Sequence, residues 1–248
     1  FDCVDHKILI DKLNRRFDIS GNVLAWLKSY LCDRTQQVVF GDTMSVKEKL
    51  MFGVPQGSVL GPLLFLLYIE DLFDVIHSYG FKCQVFADDV QILASSTSTH
   101  FNVLLDGLVA CLKDVNTWMS IHRLKLNHSK TQILPVGTWQ QLSKIATRHI
   151  IFEGSRIDFC LNARNLGVIF DSNMTMELHI KQLVIECSKQ LRLLKSVKFS
   201  LDINILKSLL HAFVYSKLDY CNSLYYELFA KSIRMLQSIQ NRAARLKV

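Results

Sequence analysis

The sequence predicts an α+β domain with an appended bundle of helices, and three observations predict it. Phe101, Leu104, Leu105, Leu108, Leu112, Val115 and Met119 recur at the i, i+3, i+4, i+7 spacing of an amphipathic helix. The short runs 82–86 and 90–94 flank Ala87-Asp88-Asp89 like the arms of a hairpin with two acids at its tip. Glycine is absent after Gly167 and proline after Pro135, and from Met176 the pattern stays helical to the end. Strands mixed with helices, then helices alone, define this class. The boundary is expected between Asp171 and Thr175, giving units of 1–172 and 173–248.

The elements follow in order. Residues 5–17 carry Ile8, Leu9, Ile10, Leu13 and Phe17 at helical spacing, and a second helix is expected over 22–31, ending near Cys32-Asp33. Residues 35–40 are rich in strand formers, Gly41-Asp42 makes a turn, and 46–52 returns as the partner strand. The Gly/Pro-rich loop 53–58 opens one long helix over 59–78. The acid hairpin occupies 81–94, and a polar loop at 95–99 leads into the helix of Phe101 to Met119. Short strands are expected at 131–136, 150–152 and 165–170.

Composition narrows the function. Half of the 248 residues are hydrophobic, enough for a sizeable core. The longest apolar run, 59–69, contains Gly61 and Pro62 and meets Glu70-Asp71 at once, too short for the roughly 20 residues of a membrane span. No membrane partner is expected. The chain starts at Phe1 without a leader or targeting signal, so a fragment or processed product is expected, placed in the nucleus, the cytoplasm or both. Seven scattered cysteines, none in a C-x-x-C pair, argue against a zinc ribbon and fit a reducing compartment.

The net charge of +7 is unevenly spread. Residues 175–248 hold 12 Lys+Arg against 5 Asp+Glu, so the whole excess lies there and residues 1–174 are neutral. A basic lobe beside a neutral, acid-tipped one suits a polyanion, nucleic acid first; a solvated helical surface is the plain alternative.

Two adjacent carboxylates at 4 Å repel by about 4 kcal/mol at an effective dielectric near 20. A divalent cation turns that repulsion into affinity, and Mg²⁺ prefers such oxygen ligands. Alone, Asp88-Asp89 is equally a solvated polar turn, and Pro55-Gln56-Gly57 is only a turn signal. Order and spacing add weight. The glycine-rich loop opens an apolar helix, the acid tip follows about 30 residues later, and then come Leu126-Asn127-His128-Ser129-Lys130-Thr131 and Asn165-Leu166-Gly167-Val168.

This series resembles the reverse transcriptases of non-LTR (LINE-type) retrotransposons over essentially the whole chain. Phe1-Asp2-Cys3-Val4-Asp5-His6 is similar to the end of their first palm motif, residues 52–62 to the second, Phe86-Ala87-Asp88-Asp89 to the third, 126–131 to the fourth and 165–168 to the fifth. The tail segments 216–224 and 236–245 also resemble this group. The resemblance implies a polymerase palm, an antiparallel sheet with helices on one face, followed by an all-α thumb. It implies RNA-directed DNA polymerase activity, in which a primer 3′-OH attacks the α-phosphate of a dNTP on an RNA template, with two Mg²⁺ ions or Mn²⁺ in their place. The number of copies in an assembly is not implied.

The residue roles come with that resemblance. Asp88 is the first metal ligand and Asp89 the second, since neighbouring strand side chains point to opposite faces. Gln56 contacts the forming base pair, or is simply a turn residue. Gly57, lacking Cβ, lets the chain pass close to template or incoming base. Lys130 protonates the pyrophosphate leaving group, or is a strand-edge lysine. Leu166 and Gly167 grip the primer end, with simple packing the alternative for Leu166. Phe86 lies beside the nucleotide, and Phe1 aligns with the aromatic gate that rejects a 2′-OH. Lys181, Arg192 and Lys195 fall within about 60° on a helix and track a phosphate backbone, with Leu183, Leu194 and Val197 opposite; ordinary surface lysines are the alternative.

The sequence also departs from the pattern. The family's first catalytic aspartate would lie five residues before Phe1, and Asp2 and Asp5 do not match it. The fingers and the upstream endonuclease are not among these residues either. The chain by itself is therefore expected to be inactive, with a strand edge bare beside the acid hairpin. A non-catalytic nucleic-acid-binding remnant is the alternative function.

Overall fold

The computed structural model describes residues 1–226 and 228–246. It divides into two compact units, residues 1–131 with 150–157, and residues 132–149 with 158–248. The expected 172/173 boundary thus lies inside the second unit, because Asp171 binds the chain that follows it. Its carboxylate accepts from the backbone of Asn173, Thr175 and Met176 and from the Thr175 hydroxyl.

In the first unit, helix α1 (His6–Arg15) starts where the Asp5 carboxylate accepts from the Lys7 and Ile8 amides, and Lys12 and Arg15 complement its C-terminal dipole. Leu9 and Leu13, one turn apart, are fully buried, each worth about 1.5–3 kcal/mol. Helix α2 (Gly21–Leu31) buries Leu27 and Leu31. A hairpin follows in two short ladders, β1 (Thr35–Gln36) with β4 (Glu48–Lys49) and β2 (Val39–Phe40) with β3 (Thr43–Met44). Between the ladders the Ser45 hydroxyl takes the Val38 amide, which interrupts the pairing.

The single helix expected over 59–78 is two, α3 (Leu60–Ile69) and α4 (Leu72–His77). They part at Glu70-Asp71, where the Phe73 amide bonds back only to Glu70. Both carboxylates there reach α1, Asp71 pairing with Lys12 and Glu70 with Arg16. Strands β5 (Lys82–Phe86) and β6 (Asp89–Leu93) form the acid hairpin, and α5 (Phe101–Ile121) is the long amphipathic helix. Cys83, Val85, Val90 and Ile92 face the core made by α1, α3, α4 and α5, while Lys82, Gln84 and Phe86 face outward. Helices therefore cover one face of this hairpin. A single larger sheet does not form: among the described residues the strands pair only as two-stranded antiparallel ladders.

The strand expected at 131–136 is also absent, reduced to one parallel bridge between Ile133 and Phe159. Helix α6 (Trp139–Ser143), begun by a Thr138–Gln141 capping box, was not anticipated. Expected strands 150–152 and 165–170 fall in hairpins β7 (His149–Phe152) with β8 (Ser155–Asp158) and β9 (Asn162–Asn165) with β10 (Val168–Asp171).

The second unit is helical beyond β10. Helix α7 (Glu177–Val197) buries Ile180, Leu183, Cys187, Leu191 and Leu194. It packs against α8 (Ile203–Leu210), which widens through one π turn at His211–Tyr215 into α9 (Ser216–Asp219), and against α10 (Ala230–Leu246). Val197, expected on the core face, is exposed: α7 ends there and its last turn lies beyond the partners that cover Leu194. No helix among the described residues is long and apolar enough to cross a membrane.

Candidate functional site

The acid tip is built by strand register. Phe86 stands directly opposite Asp89, leaving Ala87-Asp88 as a two-residue turn. Ala87 takes φ +54°, in the left-handed region where a Cβ costs about 1–2 kcal/mol. Such strain persists where surrounding structure imposes it, and it concentrates at functional sites. Asp88 and Asp89 are both exposed, and neither has a hydrogen-bond or ion-pair partner among the described residues. Phe86 beside them is 65% exposed.

The glycine-rich loop lies along the first residues of the chain. The Gly53 amide donates to the Val4 carbonyl (2.8 Å), the Val54 amide to the Phe1 carbonyl (3.2 Å), and His6 Nε2 to the Gly53 carbonyl (2.7 Å). Gly53 has φ +88°, and a Cβ there would sit 2.9 Å from the Asp2 carbonyl, so no other residue fits. Gln56 Nε2 donates to both Asp2 carboxylate oxygens, at 2.8 and 3.1 Å. Gly57 has φ +74°, and nothing lies within 4 Å of the place a Cβ would take, so its backbone faces open space. Phe1 is half-buried with its ring 4.5 Å from that of Phe65. Residues 1–6 and the loop 53–58 are thus one structural piece.

Lys130 sits in a turn, not at a strand edge. Asn127 holds that turn, its carbonyl accepting from the Lys130 and Thr131 amides, and the His128 ring packs 5.2 Å from Phe152 of β7. The Lys130 side chain is exposed and has no anionic partner among the described residues.

A polar network that the sequence did not reveal joins buried Asp5, Tyr68 and His122 to exposed Arg123. Arg123 pairs with Asp5 at 2.7 Å and lies over the Phe52 ring. Tyr68 accepts from the Asp5 amide (3.3 Å) and donates to the His122 carbonyl (2.6 Å). Lys12 bonds the Tyr68 carbonyl and Asp71, with Trp118 and Tyr68 rings about its ammonium. Burial holds Lys12 and His122 below their ordinary pKa and pushes Tyr68 up to about 12. The one sequence signal was Lys12 and Arg16 a turn apart, facing the later Glu70-Asp71.

In the second unit, Leu166 and Gly167 form the two-residue turn of β9–β10 at φ +44° and +85°. The Tyr220 hydroxyl donates to the Leu166 carbonyl at 2.7 Å, and its ring lies 3.6 Å from a Cβ placed on Gly167. Tyr225 donates to the Tyr220 carbonyl at 3.4 Å, and its hydroxyl oxygen accepts a hydrogen bond from the Nε2–H of His179 at 3.0 Å. His179 Nδ1 in turn accepts from the Ile169 amide at 3.4 Å. This fixes the neutral Nε2–H tautomer. Burial, then Arg164, keep the His179 pKa low, against an opposing pull from Glu186. Two segments singled out in the sequence, 165–168 and 216–224, therefore meet.

The three expected backbone contacts separate. Lys181 is paired with Glu177 at 3.1 Å, whereas Arg192 and Lys195 are exposed without anionic partners among the described residues.

Two carboxylates beside exposed backbone are a donor set that suits Mg²⁺, which takes one or two carboxylates and completes its shell with substrate phosphates and water. Among the described residues no group of three or more His, Cys, Asp or Glu gathers for a metal. Asp2 is engaged with Gln56, and Asp5 with helix α1 and Arg123.

Residues 1–169 match the family model described as reverse transcriptase (RNA-dependent DNA polymerase). The chain is 33% identical over 200 residues to the probable RNA-directed DNA polymerase from transposon BS of Drosophila melanogaster, covering 79% of the chain and 21% of that protein. It is 29% identical over 229 residues to the corresponding polymerase of transposon X-element from the same organism, covering 89% and 24%. It is 25% identical over 185 residues to the RNA-directed DNA polymerase from mobile element jockey, covering 73% and 19%. The chain thus spans about a fifth to a quarter of the length of these curated relatives.

Proposed function

This chain belongs to the reverse transcriptase (RNA-dependent DNA polymerase) family, and from that membership we propose that it is the palm and thumb segment of an RNA-directed DNA polymerase of a non-LTR retroelement. Its substrates are an RNA template, a DNA primer and dNTPs. The observation that carries this reading is the strained turn that projects Asp88 and Asp89, without side-chain partners among the described residues, from a hairpin anchored in the core.

Asp88 and Asp89 would hold divalent metal, Mg²⁺ by ligand type. Such ions supply activation of the attacking 3′-oxygen and charge stabilisation of the departing pyrophosphate. The side chains otherwise position and neutralise. The Gly53–Gly57 loop offers its open side at Gly57 to the template or incoming base. Gln56, held by Asp2, keeps its amide oxygen free of that bond and fixed in direction. Lys130, on the turn held by Asn127, would serve as the proton donor to pyrophosphate. Phe86 flanks the nucleotide, Phe1 forms the wall against a 2′-OH from its seat on Phe65, and Leu166-Gly167 is the primer grip.

The test is primer extension on an RNA template with Mg²⁺, using the chain expressed with the upstream residues of its reading frame. Extension that stops with Asp88→Asn supports the reading, and extension that survives it refutes the metal role. Binding of template–primer with no extension under any divalent ion identifies a non-catalytic binding remnant instead.

A further inference from the structure

We propose that Asp2 is a positioning residue that fixes Gln56 as a hydrogen-bond acceptor for a sugar hydroxyl, and that this hydroxyl is the 2′-OH of the RNA template. Only the presence of a template strand at the Gly53–Gly57 loop is taken from the reading above, on which this inference rests. Gln56 then reads a sugar, not the edge of a base pair.

Polarity carries the inference. Gln56 Nε2 donates to both oxygens of the Asp2 carboxylate, at 2.8 and 3.1 Å. An ionised carboxylate only accepts, so the NH₂ end of the amide has to face Asp2 and Oε1 has to face away. With the amide reversed, Oε1 would stand against two carboxylate oxygens with no proton between them. Oε1 has no partner among the described residues, and both side chains are exposed. The backbone around them is held as well. The Gly53 and Val54 amides bond the Val4 and Phe1 carbonyls. Ser58 Oγ closes the far side of the loop, donating to the Pro55 carbonyl at 2.7 Å and accepting from the Gly61 amide at 3.0 Å. Asp2 and Gln56 therefore stand on two segments bonded to each other, and the amide presents one outward group, an acceptor.

An acceptor selects a donor. In the minor groove of a base pair only guanine offers one, so a base contact there would make the fit depend on sequence. A sugar hydroxyl recurs at every nucleotide. The 2′-OH donates as well as accepts, and it is what distinguishes RNA from DNA at a given site. In an RNA template paired with a DNA primer and a dNTP, it occurs on the template strand alone. Gly57, next to Gln56, has no Cβ and has open space beside its backbone, which lets a sugar come close. Without the Asp2 carboxylate the Gln56 amide is free to turn and offer its NH₂ instead, so the selectivity belongs to the pair.

The experiment measures anisotropy of a labelled RNA template–DNA primer bound to the whole chain, against the same duplex with 2′-deoxy nucleotides at the template positions flanking the primer end. Loss of the hydroxyl should weaken binding about fivefold, the worth of one hydrogen bond. Asp2→Asn should bring that ratio close to one, because an asparagine amide also donates to Gln56 Oε1. Asp2→Asn combined with Gln56→Glu should restore it, because the new amide donates to the new carboxylate, which keeps an acceptor facing out. A pair that only braced the loop would shift the affinity for both duplexes alike, and an unchanged ratio in Asp2→Asn overturns the proposal. So does a ratio of one in the unaltered chain, or a chain that binds neither duplex. An Asp2-dependent preference for a dNTP over a dideoxynucleotide, with none for the template ribose, overturns it in favour of the nucleotide's own hydroxyl. The catalytic reading fails separately, if extension survives Asp88→Asn while the ribose ratio stands.

Discussion

Two hairpin turns in this molecule use one backbone device to opposite ends. Ala87-Asp88 and Leu166-Gly167 are both two-residue turns that place a non-glycine residue at positive φ. At the first, both carboxylates stand exposed with no hydrogen-bond or ion-pair partner among the described residues. At the second, Tyr220 clasps the tip, and a chain through Tyr225 and His179 returns to the same hairpin at Ile169. Strain that is tied down serves rigidity. Strain that is left open is, under the function proposed above, where a metal ion would be received.

The widest gap between the two turns should show in catalysis. Asp88→Asn is expected to cut primer extension by about 10³-fold or more while leaving the unfolding midpoint in place, because the exposed side chain makes no hydrogen bond or ion pair among the described residues. A fall in stability matching the loss of activity would erase the contrast.

Tyr220→Phe addresses the tied turn. It removes one hydrogen bond to Leu166 and should lower stability by about 1 kcal/mol, with faster amide exchange at residues 165–168 and none of this at residues 86–89. Exchange that rises equally in both hairpins would show that the clasp is not what distinguishes them.

Relieving the strain directly sharpens the comparison. Ala87→Gly should stabilise by up to about 1 kcal/mol in chemical denaturation. Leu166→Gly should yield less, because the half-exposed leucine side chain is lost along with the strain. A larger gain at residue 166 than at 87 would reverse the order.

The smallest effect is in pH. His179 is kept neutral when folded, its pKa lowered by burial and by Arg164. The unfolded chain therefore takes up the proton first, so stability is full above about 6.5 and declines as pH falls from there toward the lowered folded value. His122, also lowered by burial, has the same sign in the other unit. Replacing His179 with Gln should flatten the decline read at Tyr220 and Tyr225; a decline left unchanged would remove His179 as its source.

What the sequence made legible was local. The acid hairpin was readable because Cys83 and Val85 alternate with Gln84 and Phe86, and that pattern alone sets which face is buried. The helix of Phe101 to Met119 was readable for the same reason. The break at Glu70-Asp71 was not, because it depends on Lys12 and Arg16, far away along the chain. The Thr131–Val136 strand failed since an apolar run without a neighbour to pair with is not a strand, and here Ile133 meets only Phe159. Among site residues, Gly53 and Gly57 were marked by composition. The Tyr220 clasp and the Asp2–Gln56 pair were invisible, because each joins groups from helices or turns that no periodicity relates.

The Asp5–Arg123 pair has a consequence for how the protein is made. Helix α1 is capped by Asp5, yet the partner that neutralises Asp5 lies about 120 residues later. On a ribosome adding about 5–20 residues per second, that interval is on the order of 6–24 s. Through that time Asp5 lacks its Arg123 partner, while Lys12 and Arg16 can already meet Asp71 and Glu70. Helix α1 is thus made well before the residue that completes its N-terminal charge pair.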